Sequence, residues 1–180
     1  MGNASLSSAG PGCSDLLRGP DSGAFMELVY DTDSARIATW RNVVIQSVHV
    51  ADLAYVQALG AVLRRQLRVS PSNVVSLALL RTGMKPAAKD VRNAMTHLLR
   101  QTEGRVRHVL VIEDVGLLAQ LLITVCRGVL LIAGKRVTYS IHSDRRAAIG
   151  SALPHVEGRE REALLADELS KALVLCAEPR

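Results

Sequence analysis

Hydrophobic positions along the chain change period several times, and each change marks an element. Glu27–Asp31 and Arg36–Trp40 are short runs rich in β-formers joined by Thr32, Asp33 and Ser34, whose polar side chains favour a turn, so they predict a hairpin. Val43–Val50 is apolar and β-branched and fits either a further strand or a loop. From Asp52 the period becomes helical, with Leu53, Val56, Leu63 and Leu67 at three- and four-residue steps, and Pro71-Ser72-Asn73 ends that segment. The next run, VVSLALL at Val74–Leu80, is continuously apolar, as in a strand covered on both faces of a parallel sheet.

The alternation then repeats. Pro86 suits a first helical turn, Ala87, Val91, Met95 and Leu98 make one face, and Gly104 suits the cap that closes it. Arg107–Ile112 reads as a strand, and Arg136–His142 alternates Val137, Tyr139 and Ile141 with polar residues. Ser143 is placed to cap a short helix that Pro154 ends, and Glu157–Cys176 predicts a last helix with Leu165, Leu169 and Ala172 on one side. The order predicts an α/β fold: one domain with a mixed, mainly parallel sheet, an N-terminal β-hairpin and an extra C-terminal helix.

Val115–Gly134, VGLLAQLLITVCRGVLLIAG, tests that reading, because it carries a single charge. At 1.5 Å per residue a helix of this length is about 28 Å long, enough in length for a thin bilayer. Its polar residues Gly116, Gln120, Thr124 and Arg127-Gly128, however, fall on one side. A transmembrane helix would hold Arg127 in hydrocarbon at about 2.5–3.5 kcal/mol or more, whereas a helix lying on a sheet turns that side to water. No membrane span is expected.

Composition narrows the class. The 180 residues are 48% hydrophobic, enough for one packed domain. The net charge of +5 comes from basic residues scattered singly or in pairs, without a basic stripe interleaved with aromatics, so nucleic acid is not the expected partner. Cys13, Cys126 and Cys176 are odd in number and far apart, which points to reduced thiols in a cytoplasmic protein. Residues 1–24, rich in Gly, Ser, Pro and Ala, are expected to be a flexible tail, with Met26 as an alternative start; residues 25–155 would form the α/β domain and 156–180 the C-terminal helix with a short tail.

Candidate chemistry is sparse. GVLLIAGKR spaces its glycines by five residues where a phosphate-binding loop needs four, and puts Arg136 where that loop needs a hydroxyl. His49, His97, His108, His142 and His155 show no ligand spacing, and each is expected to be solvated or hydrogen-bonded; no metal or cofactor is expected. Two places on the strand ends stand out. Arg81-Thr82-Gly83-Met84-Lys85 offers two cations and a flexible apolar side chain, and Glu113-Asp114 pairs two carboxylates where open α/β sheets bind ligands. Arg81, Thr82, Met84, Lys85, Glu113 and Asp114 are therefore the candidate partner-binding residues.

The hairpin FMELVYDTDSARIATW, the helix DLAYVQALGAVLRRQL, the strand NVVSLALL, the helix–strand pair ending in RVRHVLVIED and the long helix with VTYSIHSDRRAAIGSAL together resemble the STAS-like domains related to bacterial anti-sigma-factor antagonists. The resemblance covers about residues 25–155 and rests on element order and apolar pattern. It implies a mixed sheet with helices mainly on one side, a cytoplasmic protein, and regulation through protein contacts. The family's phosphorylatable Ser stands in a D-S-S-G or D-S-T-G turn; here RTGMKPAAKD puts Pro86, Ala87 and Ala88 there, with Thr82 the only hydroxyl nearby. The resemblance thus implies a regulatory protein-interaction module without that phosphoswitch. The alternative is a carrier or sensor of a small apolar ligand, and homodimerisation is left open.

Overall fold

A computed structural model of the chain describes residues 26–70, 73–102, 104–113, 116–157 and 162–177; the expected tail lies outside the described residues. Strands β1 (Glu27–Asp31), β2 (Ala35–Trp40) and β3 (Val43–Val48) are followed by α1 (Leu53–Val69), β4 (Val74–Leu80) and α2 (Lys89–Gln101). Then come β5 (Val106–Ile112), α3 (Leu117–Ala133), β6 (Thr138–His142), α4 (Arg145–Ala152), a 3-10 turn at Leu153–His155 and α5 (Glu162–Ala177). The apolar stretch after Trp40, open between strand and loop in the sequence, is β3, buried along its whole length.

The six strands lie in one sheet in chain order. β1–β2 and β2–β3 pair antiparallel, and β3–β4, β4–β5 and β5–β6 pair parallel. Each parallel pair is joined by a helix, and such crossovers are almost always right-handed. Three of them advancing in one direction put α1, α2 and α3 on the same face, where they pack on Val44, Val48, Val74, Leu80, Val106 and Ile112. Alternate residues of the same strands, Ile45, Leu77, Leu79, Val109 and Val111, point the other way, and α4 and α5 cover them with Ala148, Leu169 and Leu173. Most helical cover therefore lies on the first face, and the C-terminal helix seals the second.

Helix ends follow local chemistry. The Asp52 carboxylate accepts from the Tyr55 N–H at 2.7 Å and opens α1. At α4 the cap is Asp144, accepting from the Ala147 N–H at 2.8 Å, not Ser143, because the carboxylate reaches the first free donors one residue later. Pro86 lies in the loop before α2, which starts at Lys89. Glu157 likewise stands outside α5, its backbone N–H donating to Asn42 Oδ1 at 2.9 Å. α3 is 17 residues long and exposes Gln120, Thr124 and Arg127, and no helix among the described residues is long and apolar enough to cross a membrane.

Asn42 fastens the layers. It is fully buried in the β2–β3 turn, and its amide donates to the carbonyls of Asn73 and His155, both at 2.8 Å, besides accepting from Glu157. Its neighbour Arg41 has φ 52°, a conformation that costs a residue with a Cβ, and it is held by Gln66 donating to its carbonyl and by its guanidinium donating to the Glu157 carbonyl at 3.1 Å. Asn42→Ala would remove three hydrogen bonds that tie the β2–β3 turn to its neighbours; urea unfolding is expected to show a loss of about 3 kcal/mol with an unchanged m-value.

Candidate functional site

The face under α1–α3 is not uniformly apolar. Side-chain alternation that turns Val44 and Val48 inward also turns Gln46, and likewise Ser76 between Val74 and Ala78, and His108 between Val106 and Leu110. Ser76 and His108 stand opposite one another in the β4–β5 register. The Tyr55 hydroxyl descends from α1 and donates to Gln46 Oε1 at 2.5 Å, and Gln46 Nε2 donates to Ser76 Oγ at 2.8 Å. His108 is 8% exposed, and its ring nitrogens have no hydrogen-bond partner among the described residues.

These groups floor a cavity of about 130 Å³ roofed by Leu59, Leu98 and Leu122 and closed at one end by Met84 and Pro86. Burial alone lowers the His108 pKa from 6.5 to about 4, so the imidazole is neutral at pH 7, with one N–H and one bare nitrogen. Burial also raises the Tyr55 phenol and keeps it a donor, and it raises the Cys126 thiol to about 11, so the sulfur that lines the cavity is protonated. Ser76 accepts from Gln46, which leaves its own O–H free to donate.

A second concavity, a groove of about 790 Å³, runs between α2 and α3. One wall carries Lys89, Arg92, His97 and Arg100; the other carries Val125, Gly128, Val129 and Ile132. No carboxylate among the described residues lines it. A side chain built on Gly128 would meet nothing within 4 Å, so the groove is open at its centre. Leu121, Val125, Gly128 and Ile132 follow one another at helical steps, and Leu121 and Ile132 are 50% and 64% exposed. Arg92, Val125 and Val129 line both the groove and the cavity, and thus form the wall between them.

The residues singled out in the sequence are divided by the fold. Leu80 and Ile112 are register partners, so Arg81 and Glu113 leave the sheet side by side. Arg81 Nη1 donates to the Ala177 carbonyl at 2.7 Å, on the α5 face, while Met84 turns under α1–α3 into the cavity. Thr82 and Lys85 are exposed between them. Glu113 receives both Nε and Nη2 of Arg145, at 2.6 and 2.9 Å; Asp114 lies outside the described residues.

Sequence reasoning missed Gln46, Ser76 and His108, and expected His108 to be solvated or hydrogen-bonded. Part of the signal was present: Ser76 is the one polar residue of VVSLALL, while Gln46 and His108 each stand beside a second polar residue, Ser47 in VVIQSV and Arg107 in VRHVLVI. What the sequence lacks is the register that puts the three in one row. Comparison with protein-family models, with curated proteins and with solved structures returns no match.

His108 makes stability pH-dependent. Its folded pKa is depressed, so between pH 6.5 and 4 the unfolded chain binds a proton that the folded chain does not. Its contribution is complete above about pH 6.5 and is lost as pH falls toward 4, by up to about 3 kcal/mol. Denaturant titrations of the parent and His108→Leu at stepped pH should show the parent losing that much more stability across the window. Parallel curves would place the imidazole in water.

Proposed function

We propose that the chain is a non-catalytic regulatory module of the STAS-like kind, working in bacterial cytoplasmic signalling by receiving an acidic amphipathic helix of a protein partner between α2 and α3. The observation that carries this reading is the two-stripe groove: cations with His97 on α2, aliphatic side chains on α3, and no carboxylate among the lining residues. An apolar groove of this kind takes the apolar face of a helix, and the flanking charges select its carboxylates. A concave floor favours a helix over the plane of a bilayer. The hairpin followed by strand–helix crossovers, which resembles STAS-like domains, supports a scaffold that acts through contacts.

A second reading, a carrier or sensor of a small ligand, is favoured by the cavity beneath α1–α3 with its unpaired polar groups. The two readings use different surfaces of the same helices, and each is tested separately.

Fluorescence anisotropy with a designed helical peptide, Leu/Ile along one face and Glu beside it, tests the groove. Binding should weaken as salt rises, and a peptide with Lys in place of Glu should not bind. Lys89→Glu with His97→Glu, both at exposed positions, should weaken binding at least tenfold without lowering the melting temperature. Equal binding of both peptides, or loss of binding by Lys85→Glu in place of the groove pair, would refute the groove and return attention to the strand-end loop.

A further inference from the structure

We infer that the cavity between the sheet and α1–α3 is a binding site for a small neutral hydroxyl compound, a phenol or an alcohol of similar bulk, held by Ser76 and His108. This goes beyond the groove reading and stands without it.

The size comes first. A dry, apolar engineered cavity of about 150 Å³ is known to admit benzene, so a space of about 130 Å³ takes one ring or its aliphatic equivalent. The roof, made of Leu59, Leu98 and Leu122 with Met84 at the end, supplies contacts without direction and sets no further polar demand.

The floor sets the chemistry. Buried polar groups are nearly always paired, and those that are not call for a bound water or ligand. Tyr55 and Gln46 use one another, and Gln46 uses Ser76 as acceptor, so what is left facing the space is the Ser76 O–H and the His108 imidazole. Together they offer a donor and an acceptor from adjacent strands. A ligand hydroxyl matches both, accepting from Ser76 and donating to the bare imidazole nitrogen. With the bare nitrogen turned to the space, a ketone or ether would leave it unpaired, and a hydrocarbon would leave both groups unpaired. An ionised acid would carry its charge against neutral groups, since the only cation on the lining among the described residues, Arg92, sits at the rim with Nη1 donating to the Ala87 carbonyl at 2.6 Å. Neutrality, one ring and one hydroxyl are thus fixed by three separate features of the site.

The test is calorimetric titration of the whole chain with phenol, benzene and benzoate, paired with NMR of the His108 ring. Phenol should bind saturably and shift the His108 resonances, about tenfold more tightly than benzene, the ratio expected for a hydrogen bond gained in a dry site. Ser76→Ala and His108→Leu should each erase most of that preference while leaving benzene binding intact or tighter; benzene binding by either variant also shows that it has folded around the same space. Failure of both compounds to bind the parent would mean that the space holds water alone and would overturn the inference. Equal affinity for phenol and benzene would reduce the site to a packing defect, and tighter binding of benzoate would move the polar end to Arg92. None of these outcomes depends on the peptide experiment, so the two readings can fail apart.

Discussion

The handedness of the strand–helix–strand crossover governs this fold. Each parallel step from β3 to β6 must cross on the same side when the sheet grows in one direction, and that gathers α1, α2 and α3 over one face. The other face is then bare until the chain returns after β6. α4 and α5 meet that demand, burying Leu169 and Leu173 against Ile45, Leu77 and Val111. The same monotonic order removes the reversal of strand order at which doubly wound sheets open a ligand crevice. Room for a ligand must therefore lie beneath the helices or between them, which is where the cavity and the groove are found.

The layers would slide without cross-ties, and the sequence supplies them at both ends of the central strands. Asn42 joins the β2–β3 turn to the start of β4 and to the segment before α5. At the opposite end of the strands the Arg81–Lys85 loop straddles the sheet, its Arg81 held by the end of α5 and its Met84 packed beneath α1–α3. The loop that looks most like a recognition element in the sequence thus has two of its residues committed to joining the layers. Glu113, gripped by both nitrogens of Arg145, ties β5 to α4 in the same way.

Period and punctuation made most of the fold legible. VVSLALL is a strand buried along its length, as its continuous apolar run predicts, and the apolar segment after β5 holds a 17-residue helix, no helix among the described residues being long and apolar enough to cross a membrane. Boundaries were less legible: Asp144 outcompetes Ser143 as cap by reach, and the chain before α5 is drawn into the Asn42 hydrogen bonds before it can turn helical. The site was hardly legible at all, because it is made by register. Gln46, Ser76 and His108 are separated by 30 residues or more in sequence, and only the pairing of β3 with β4 and β4 with β5 sets them on one floor. The groove has the same origin: its cations and His97 stand on α2, but the aliphatic wall opposite them comes from a different helix.

Right-handed crossovers roof a polar-floored space that packing leaves unfilled. Diffraction from crystals pressurised with xenon tests this most directly, because xenon enters apolar space without needing any particular hydrogen bond. One xenon site is expected beneath α1–α3, in contact with Leu59, Leu98 and Leu122 and above Ser76 and His108. A map with no xenon there, and with the three leucines packed down onto the sheet, would contradict it.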